Sequence, residues 1–150
     1  METRINVFEK GQKAISTLFG VTGYLKKSTI ERSLMELVDF RISQINNCAY
    51  CLDMHSKEAL ANGETTQRLF GLSAWRETPY FTKRERVALA YAEAVNACEV
   101  PDDIYDLAKT EFTEEELIDL TLAIATINTW NRINIAFSNT PGSYRVGQFG

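Results

Sequence analysis

Cys48 and Cys51 stand three positions apart, and His55 follows four positions after the second cysteine. At roughly 100° per residue on a helix, these three side chains fall within a sector of about 60°. Two thiols one turn apart can be joined into a disulfide and parted again without moving whole elements. The attacking species in such chemistry is the thiolate. Exposed amides in a first helical turn stabilise negative sulfur, most strongly at Cys48. His55, the one histidine in the chain, has an imidazole suited to taking the proton of Cys51 near neutrality. A carboxylate on its other ring nitrogen would fix the tautomer and raise its basicity. Glu36 from a preceding helix is a candidate for that place, and composition alone does not choose it over Asp39 or Asp53. Oxidation is expected to link Cys48 to Cys51 and leave Cys98, isolated in sequence, as a small packing residue.

Two other readings of the same residues compete. Cys48, Cys51, His55 and Glu36 are all acceptable zinc ligands, but structural zinc sites gather ligands from two separated pairs and no second Cys/His pair exists. Alternatively, the cysteines pack passively in a helical binding or assembly protein. Trp130 is expected in the core. Asn131 and Arg132 are expected either to line a pocket or bridge subunits, or else to serve in capping and surface contacts.

The elements that must position these residues read as helices. Residues 11–19 form a short helical pattern that Gly20 and Gly23 would close. Ser28 and Glu31 have capping-box spacing ahead of a stripe of Ile30, Leu34, Leu37, Val38, Ile42 and Ile45. Asn46 and Asn47 interrupt the stripe, and Asn47 is placed to cap a helix starting at Cys48 and running to about Ala61, where Asn62 and Gly63 stop it. Residues 64–72 suggest a short helix. Thr82 with Glu85 and Thr113 with Glu116 repeat the capping-box spacing ahead of two further helices, and Pro101 starts a short one between them. Beyond Phe137 the apolar pattern ends, and the tail is expected to be mobile or packed on a neighbour. No alternating strands occur, so the fold class is all-α, a single-domain helical bundle, and the strands of a thioredoxin fold are missing.

Composition narrows the function further. With 16 basic and 20 acidic residues, the chain builds no basic field for nucleic acid. Its most apolar stretch, residues 117–125, carries Asp119 and falls short of a membrane span. Three cysteines and no signal-like apolar segment point to the cytoplasm, where a close cysteine pair is catalytic or metal-binding more often than structural.

Glu36, eleven intervening residues, Cys48-Ala49-Tyr50-Cys51, three residues and then His55 make up a longer pattern. It resembles the motif of the alkylhydroperoxidase D-like branch of the carboxymuconolactone decarboxylase family. Further likeness lies in residues 41–46, 63–69, 91–94 and 129–132, so the resemblance covers roughly residues 20–137. It implies an alkylhydroperoxidase D-like core over 20–137, with a helical extension at 1–19 and a tail at 138–150. It also implies Cys51 as the peroxidatic cysteine, oxidised to a sulfenic acid, Cys48 as the resolving cysteine, and His55 and Glu36 as the proton relay. The implied substrate is a hydroperoxide and the implied reductant an external thiol or dithiol, with no bound cofactor or metal. The implied assembly is a homo-oligomer: a hexamer of three dimers first, a trimer second, and a monomer third. Trp75, Tyr80 and Phe81 read as exposed aromatics compatible with such an assembly. A disulfide reductase or exchange protein would use the same two sulfurs. One departure is Tyr50, where the best-characterised peroxidases of the branch carry a further histidine. The decarboxylases that give the family its name lack the cysteine pair.

Overall fold

The computed structural model describes residues 2–149 and is all-helical among them. In chain order the helices are α1 (Val7–Lys10), α2 (Gln12–Leu25), α3 (Arg32–Ile45), α4 (Ala49–Ala61), α5 (Thr66–Gly71), α6 (Lys83–Asn96), α7 (Asp102–Lys109) and α8 (Glu114–Ala136), with a 3-10 turn at Leu72–Ala74 after α5. They form one bundle with α3 at its centre, packed against α4, α6 and α8.

The stripe read from the sequence is what α3 buries. Leu34, Val38 and Ile42 pack against Val87, Ala88, Tyr91 and Ala92 of α6 and Leu117, Leu120, Ile124 and Ile127 of α8. The small side chains of Ala88 and Ala92, both fully buried, let α6 lie close to its neighbours. A second cluster joins Leu37 and Phe40, on another side of α3, to Leu69, Leu72, Trp75 and Phe81. Trp75 and Phe81 are therefore core residues rather than exposed aromatics, and of the three only Tyr80 is exposed. Burial of the Trp75 ring is made tolerable by a partner for its N–H, which donates to Glu93 at 2.9 Å.

Thr82 with Glu85 and Thr113 with Glu116 form the reciprocal capping boxes their spacing predicts. Ser28 and Glu31 do not. The Ser28 hydroxyl accepts from the backbone N–H of Ile30, two residues on, in a local turn. The Glu31 carboxylate accepts instead from Arg84 at 3.2 Å, and α3 begins at Arg32 with no side-chain cap. Gly20 and Gly23 do not close α2, which runs through both of them. Each costs about 1 kcal/mol relative to alanine, and packing of α2 on α8 offsets that cost. The division drawn between residues 19 and 20 thus falls inside one helix.

Cys98 is exposed, not packed. It has φ 57° just past Ala97, the C-cap of α6, where its N–H donates to Val95 O and that of Glu99 donates to Ala94 O; a left-handed residue here ends the helix and turns the thiol outward. The C-terminal segment packs on its own chain through Tyr144 and Phe149. Among the described residues, no helix is long and apolar enough to cross a membrane.

Candidate functional site

The site depends on how the chain reverses between α3 and α4. Asn46 closes α3, and Asn47 takes a left-handed φ of 56°. Such a conformation suits asparagine better than most residues with a side chain. The Cys48 N–H then donates back to Ser43 O at 3.1 Å. Asn47 is not the cap of α4. Cys48 occupies that place, and its Sγ accepts from the Cys51 N–H at 3.3 Å. A sulfur thus takes the role usually played by an oxygen, at the positive end of the helix. The Asn46 amide fastens the reversal from below, within bonding distance of Asn131 at 2.9 Å and Asn128 at 3.0 Å. Asn131 is fully buried and donates to Ser43. It is a brace for this turn, and it does not line the cavity. Arg132 is exposed and donates to Asn128, so it makes a surface contact.

Cys48 and Cys51 are joined in a disulfide with Cα atoms 5.3 Å apart, and Cys98 is free. Both sulfur-bearing residues are almost completely buried, at 1% and 0% exposure. Asn134 of α8 donates from its Nδ2 to Cys51 Sγ at 3.3 Å and is itself oriented by Asn139, which donates to its Oδ1 at 2.6 Å. Sequence reasoning missed Asn134, although a buried amide on the apolar face of α8 was a visible irregularity.

His55 lies one turn beyond Cys51. Its Nδ1–H donates to Glu36 Oε2 at 2.9 Å, and Asp39 Oδ2 lies 3.9 Å from the same nitrogen. Of the three carboxylates left open by the sequence, α3 therefore brings two to the imidazole. They are three residues apart and share a helix face. Asp53 is turned away, accepting from Lys57 at 2.8 Å and from the Gly142 N–H at 2.9 Å. With a carboxylate on Nδ1, the neutral tautomer carries its proton there and leaves the Nε2 lone pair open. That Nε2 is buried and has no hydrogen-bond partner among the described residues.

A cavity of about 290 Å³ adjoins these groups. Cys51, His55, Glu36, Asp39, Tyr50 and Glu58 are among its polar lining, while Phe8, Phe19, Met35, Trp130 and Phe149 supply apolar wall. Trp130 is half-buried: it packs against the core cluster and also lines the cavity. Cys48 does not line the cavity. Tyr50 keeps its phenolic proton, because burial and the charge of Asp53 both push its pKa up. Glu58 was not singled out in the sequence, yet it stands three residues past His55 on the same helix face. Burial would raise its pKa, but donors from Gly147 and Tyr144, with the charges of Arg32 and His55, bring it below the ordinary carboxylate range. Among the described residues, no group of three or more His, Cys, Asp or Glu is arranged to hold a metal ion.

A buried dithiol centre beside a histidine–carboxylate pair, on an all-helical bundle of this topology, defines an alkylhydroperoxidase D-like protein. Residues 10–94 match the carboxymuconolactone decarboxylase family, and the chain belongs to it. Among its relatives is the uncharacterized protein YdfG of Bacillus subtilis, 37% identical over 146 residues, which span 95% of this chain and 99% of that one. The uncharacterized protein YnjA of Escherichia coli is 31% identical over 115 residues, 74% of this chain and 62% of that protein. A crystal structure of a protein of unknown function from Agrobacterium tumefaciens, proposed to be the antioxidant defence protein AhpD, superimposes with a TM-score of 0.90. It is 36% identical, over 95% of this chain and 100% of that one. Family, fold and cysteine pair together are consistent with a thiol-based redox protein.

The carboxylates around His55 carry a consequence for pH. Burial pushes the Asp39 carboxyl up to about 7; the His55 charge lowers it and the Glu36 charge raises it. Burial alone would lower the His55 pKa, but its bond to Glu36 and the charges of Asp39, Glu36 and Glu58 prevail and hold it above the ordinary histidine value. Both groups bind protons more tightly in the folded chain, so folding takes up protons at this site. The resulting stability is present at low pH and is lost as pH rises, through about 7 for Asp39 and above the ordinary histidine range for His55. The urea midpoint of the oxidised protein should fall between about pH 5.5 and about pH 7.5, and Asp39→Asn should shrink that fall. An identical fall in the variant would show that Asp39 is not the group responsible.

Proposed function

We propose that this protein is a thiol-dependent hydroperoxide reductase acting in antioxidant defence, in which Cys51 attacks peroxide, Cys48 resolves the product, and His55 with Glu36 moves the proton. The observation that carries this reading is the placement of Cys51 on the cavity wall beside a histidine whose Nδ1 is tied to Glu36 and whose Nε2 is open.

In the reduced protein, His55 Nε2 takes the Cys51 proton directly or through a water. The Asn134 amide helps hold the thiolate. The thiolate attacks the terminal oxygen of a hydroperoxide, the O–O bond breaks, and that oxygen with its hydrogen stays on sulfur as a sulfenic acid. The departing alkoxide takes the proton from His55 and leaves as an alcohol. Cys48, whose thiolate is favoured at the start of α4, then attacks Cys51 Sγ. The sulfenic oxygen takes up the proton that the Cys48 thiol released, leaves as water, and the disulfide forms. An external thiol or dithiol slim enough to reach Cys51 through the cavity returns the pair to its reduced state by exchange. The cycle needs no bound cofactor or metal. Tyr50, protonated at neutral pH, takes the place of a second histidine and lines the cavity without acting as a base.

Burial of both sulfurs favours a small oxidant over a bulky protein disulfide. A disulfide-exchange protein presents at least one sulfur to its partner, and here neither is exposed in the oxidised state. We also propose the symmetric homo-oligomer implied by the family, a hexamer before a trimer. It is supported by large apolar side chains left in solvent, among them Phe70 of α5 at 81% exposure and Ile118 of α8 at 66%.

Stopped-flow oxidation of the reduced protein by an organic hydroperoxide tests the roles. Cys51→Ser should abolish the fast phase, while Cys48→Ser should retain it and stop at a sulfenic acid. His55→Ala should slow it by about 100- to 10,000-fold, with Glu36→Gln giving a smaller loss. A Cys51→Ser variant that reacts like wild type would end this reading. Light scattering coupled to size exclusion should return an oligomeric mass at low micromolar protein; a monomer mass that persists at higher concentration would exclude the assembly.

A further inference from the structure

Glu58 is a buried carboxylate that the proposed redox cycle does not use, at 6% exposure. A carboxylate in such a place is costly unless its oxygens are occupied. Two of its donors come from the far end of the chain: the Gly147 N–H donates to Oε1 at 2.7 Å, and the Tyr144 hydroxyl donates to the same oxygen. Its other oxygen accepts from Arg32 at 3.1 Å. The Tyr144 phenol is held protonated, its pKa raised by burial and by its bond to Glu58. Further bonds secure the same segment. Lys57 donates to Tyr144 O at 3.1 Å, and Lys26 donates to Phe149 O at 3.1 Å. The segment so fastened carries two rings into the cavity wall. Phe149 lies 5.1 Å from Phe8 and 5.6 Å from Phe19, centroid to centroid, with Tyr144 at 5.7 Å on its other side. Phe149 packs against Phe8 and Phe19, which meet Trp130, as the apolar part of the lining, while Glu36 and Asp39 gather at His55.

We infer that Glu58 latches the C-terminal segment in place as a wall of the cavity, and that Tyr144 and Phe149 set the specificity of the site for a small apolar molecule with a single ring and one polar head. The inference rests on the hydroperoxide reading for the identity of that head. A volume of about 290 Å³ accommodates a ring with a short substituent. Aromatic walls favour such a body through burial of its apolar surface. The polar head then meets His55 Nε2, which has no partner among the described residues. Hydrogen peroxide, with no apolar body, gains nothing from these rings.

Cumyl alcohol, the redox-inert product of cumene hydroperoxide, probes the wall apart from the chemistry. Calorimetry should show it binding the oxidised protein. Phe149→Ala, at a half-buried position near the end of the sequence, and Tyr144→Phe, which keeps the ring and removes the latch hydroxyl, should each weaken binding by about tenfold or more. In peroxide assays, the ratio of rates with cumene hydroperoxide and hydrogen peroxide should fall by a similar factor, with the loss in KM rather than kcat. Circular dichroism and closure of the Cys48–Cys51 disulfide establish that each variant is folded. Failure of the wild type to bind cumyl alcohol, or unchanged binding in both folded variants, would overturn the inference. Binding that both variants weaken, with no turnover of any hydroperoxide, would uphold the latch and the ligand class while removing the peroxidase reading.

Discussion

The reversal at Asn46, Asn47 and Cys48 is the constraint on which the rest of the site depends. It turns α4 back along α3, so that residues 19 positions apart, Glu36 and His55, meet at 2.9 Å. The same reversal makes Cys48 the cap of α4 and brings its sulfur to Cys51. One backbone feature therefore fixes the cysteine pair, its histidine and the orienting carboxylate. The left-handed asparagine permits it. The half-buried amide of Asn46 and the buried amide of Asn131 hold it to α8, and leaving the Asn131 amide unpaired would cost about 1–3 kcal/mol.

Electrostatics at the site is a balance between burial and paired charge. Burial works against the charged forms of His55, Asp39 and Glu58. The arrangement is tolerable because the imidazole keeps its bond to Glu36, Asp39 holds a proton up to about pH 7, and Glu58 is compensated by donors from the C-terminal segment. The result is a basic nitrogen held in a fixed orientation within a largely apolar surround. Catalytic acids and bases are tuned in this way, whereas a structural histidine has no need of an open Nε2 in a cavity wall.

The sequence made the helical stripes legible because their apolar spacing repeats, and the stripe from Leu34 to Ile42 is the centre of the core. The capping boxes at Thr82 and Thr113 were legible for the same local reason. Ser28 and Glu31 misled because Arg84, 53 positions beyond Glu31, claims its carboxylate, a competition no local pattern contains. The cysteine–histidine face could be read from helical periodicity, and the motif selected Glu36. Asp39 stayed one of three equal candidates until α3 and α4 were placed together. The tail was the largest omission. Tyr144 and Phe149 lack periodicity, and their importance arises only from contacts with Glu58, Phe8 and Phe19, which lie far away in sequence.

Cys51 reduction of a hydroperoxide is the claim from which the rest follows, and its stoichiometry is the most direct measurement. Reduced protein mixed with less than one equivalent of cumene hydroperoxide, without added reductant, should yield one cumyl alcohol for each peroxide consumed. Peptide mapping of the same sample should find one Cys48–Cys51 disulfide for each alcohol, with Cys98 still a thiol. Peroxide left unconsumed, or alcohol formed while the Cys48–Cys51 pair remains reduced, would contradict the account.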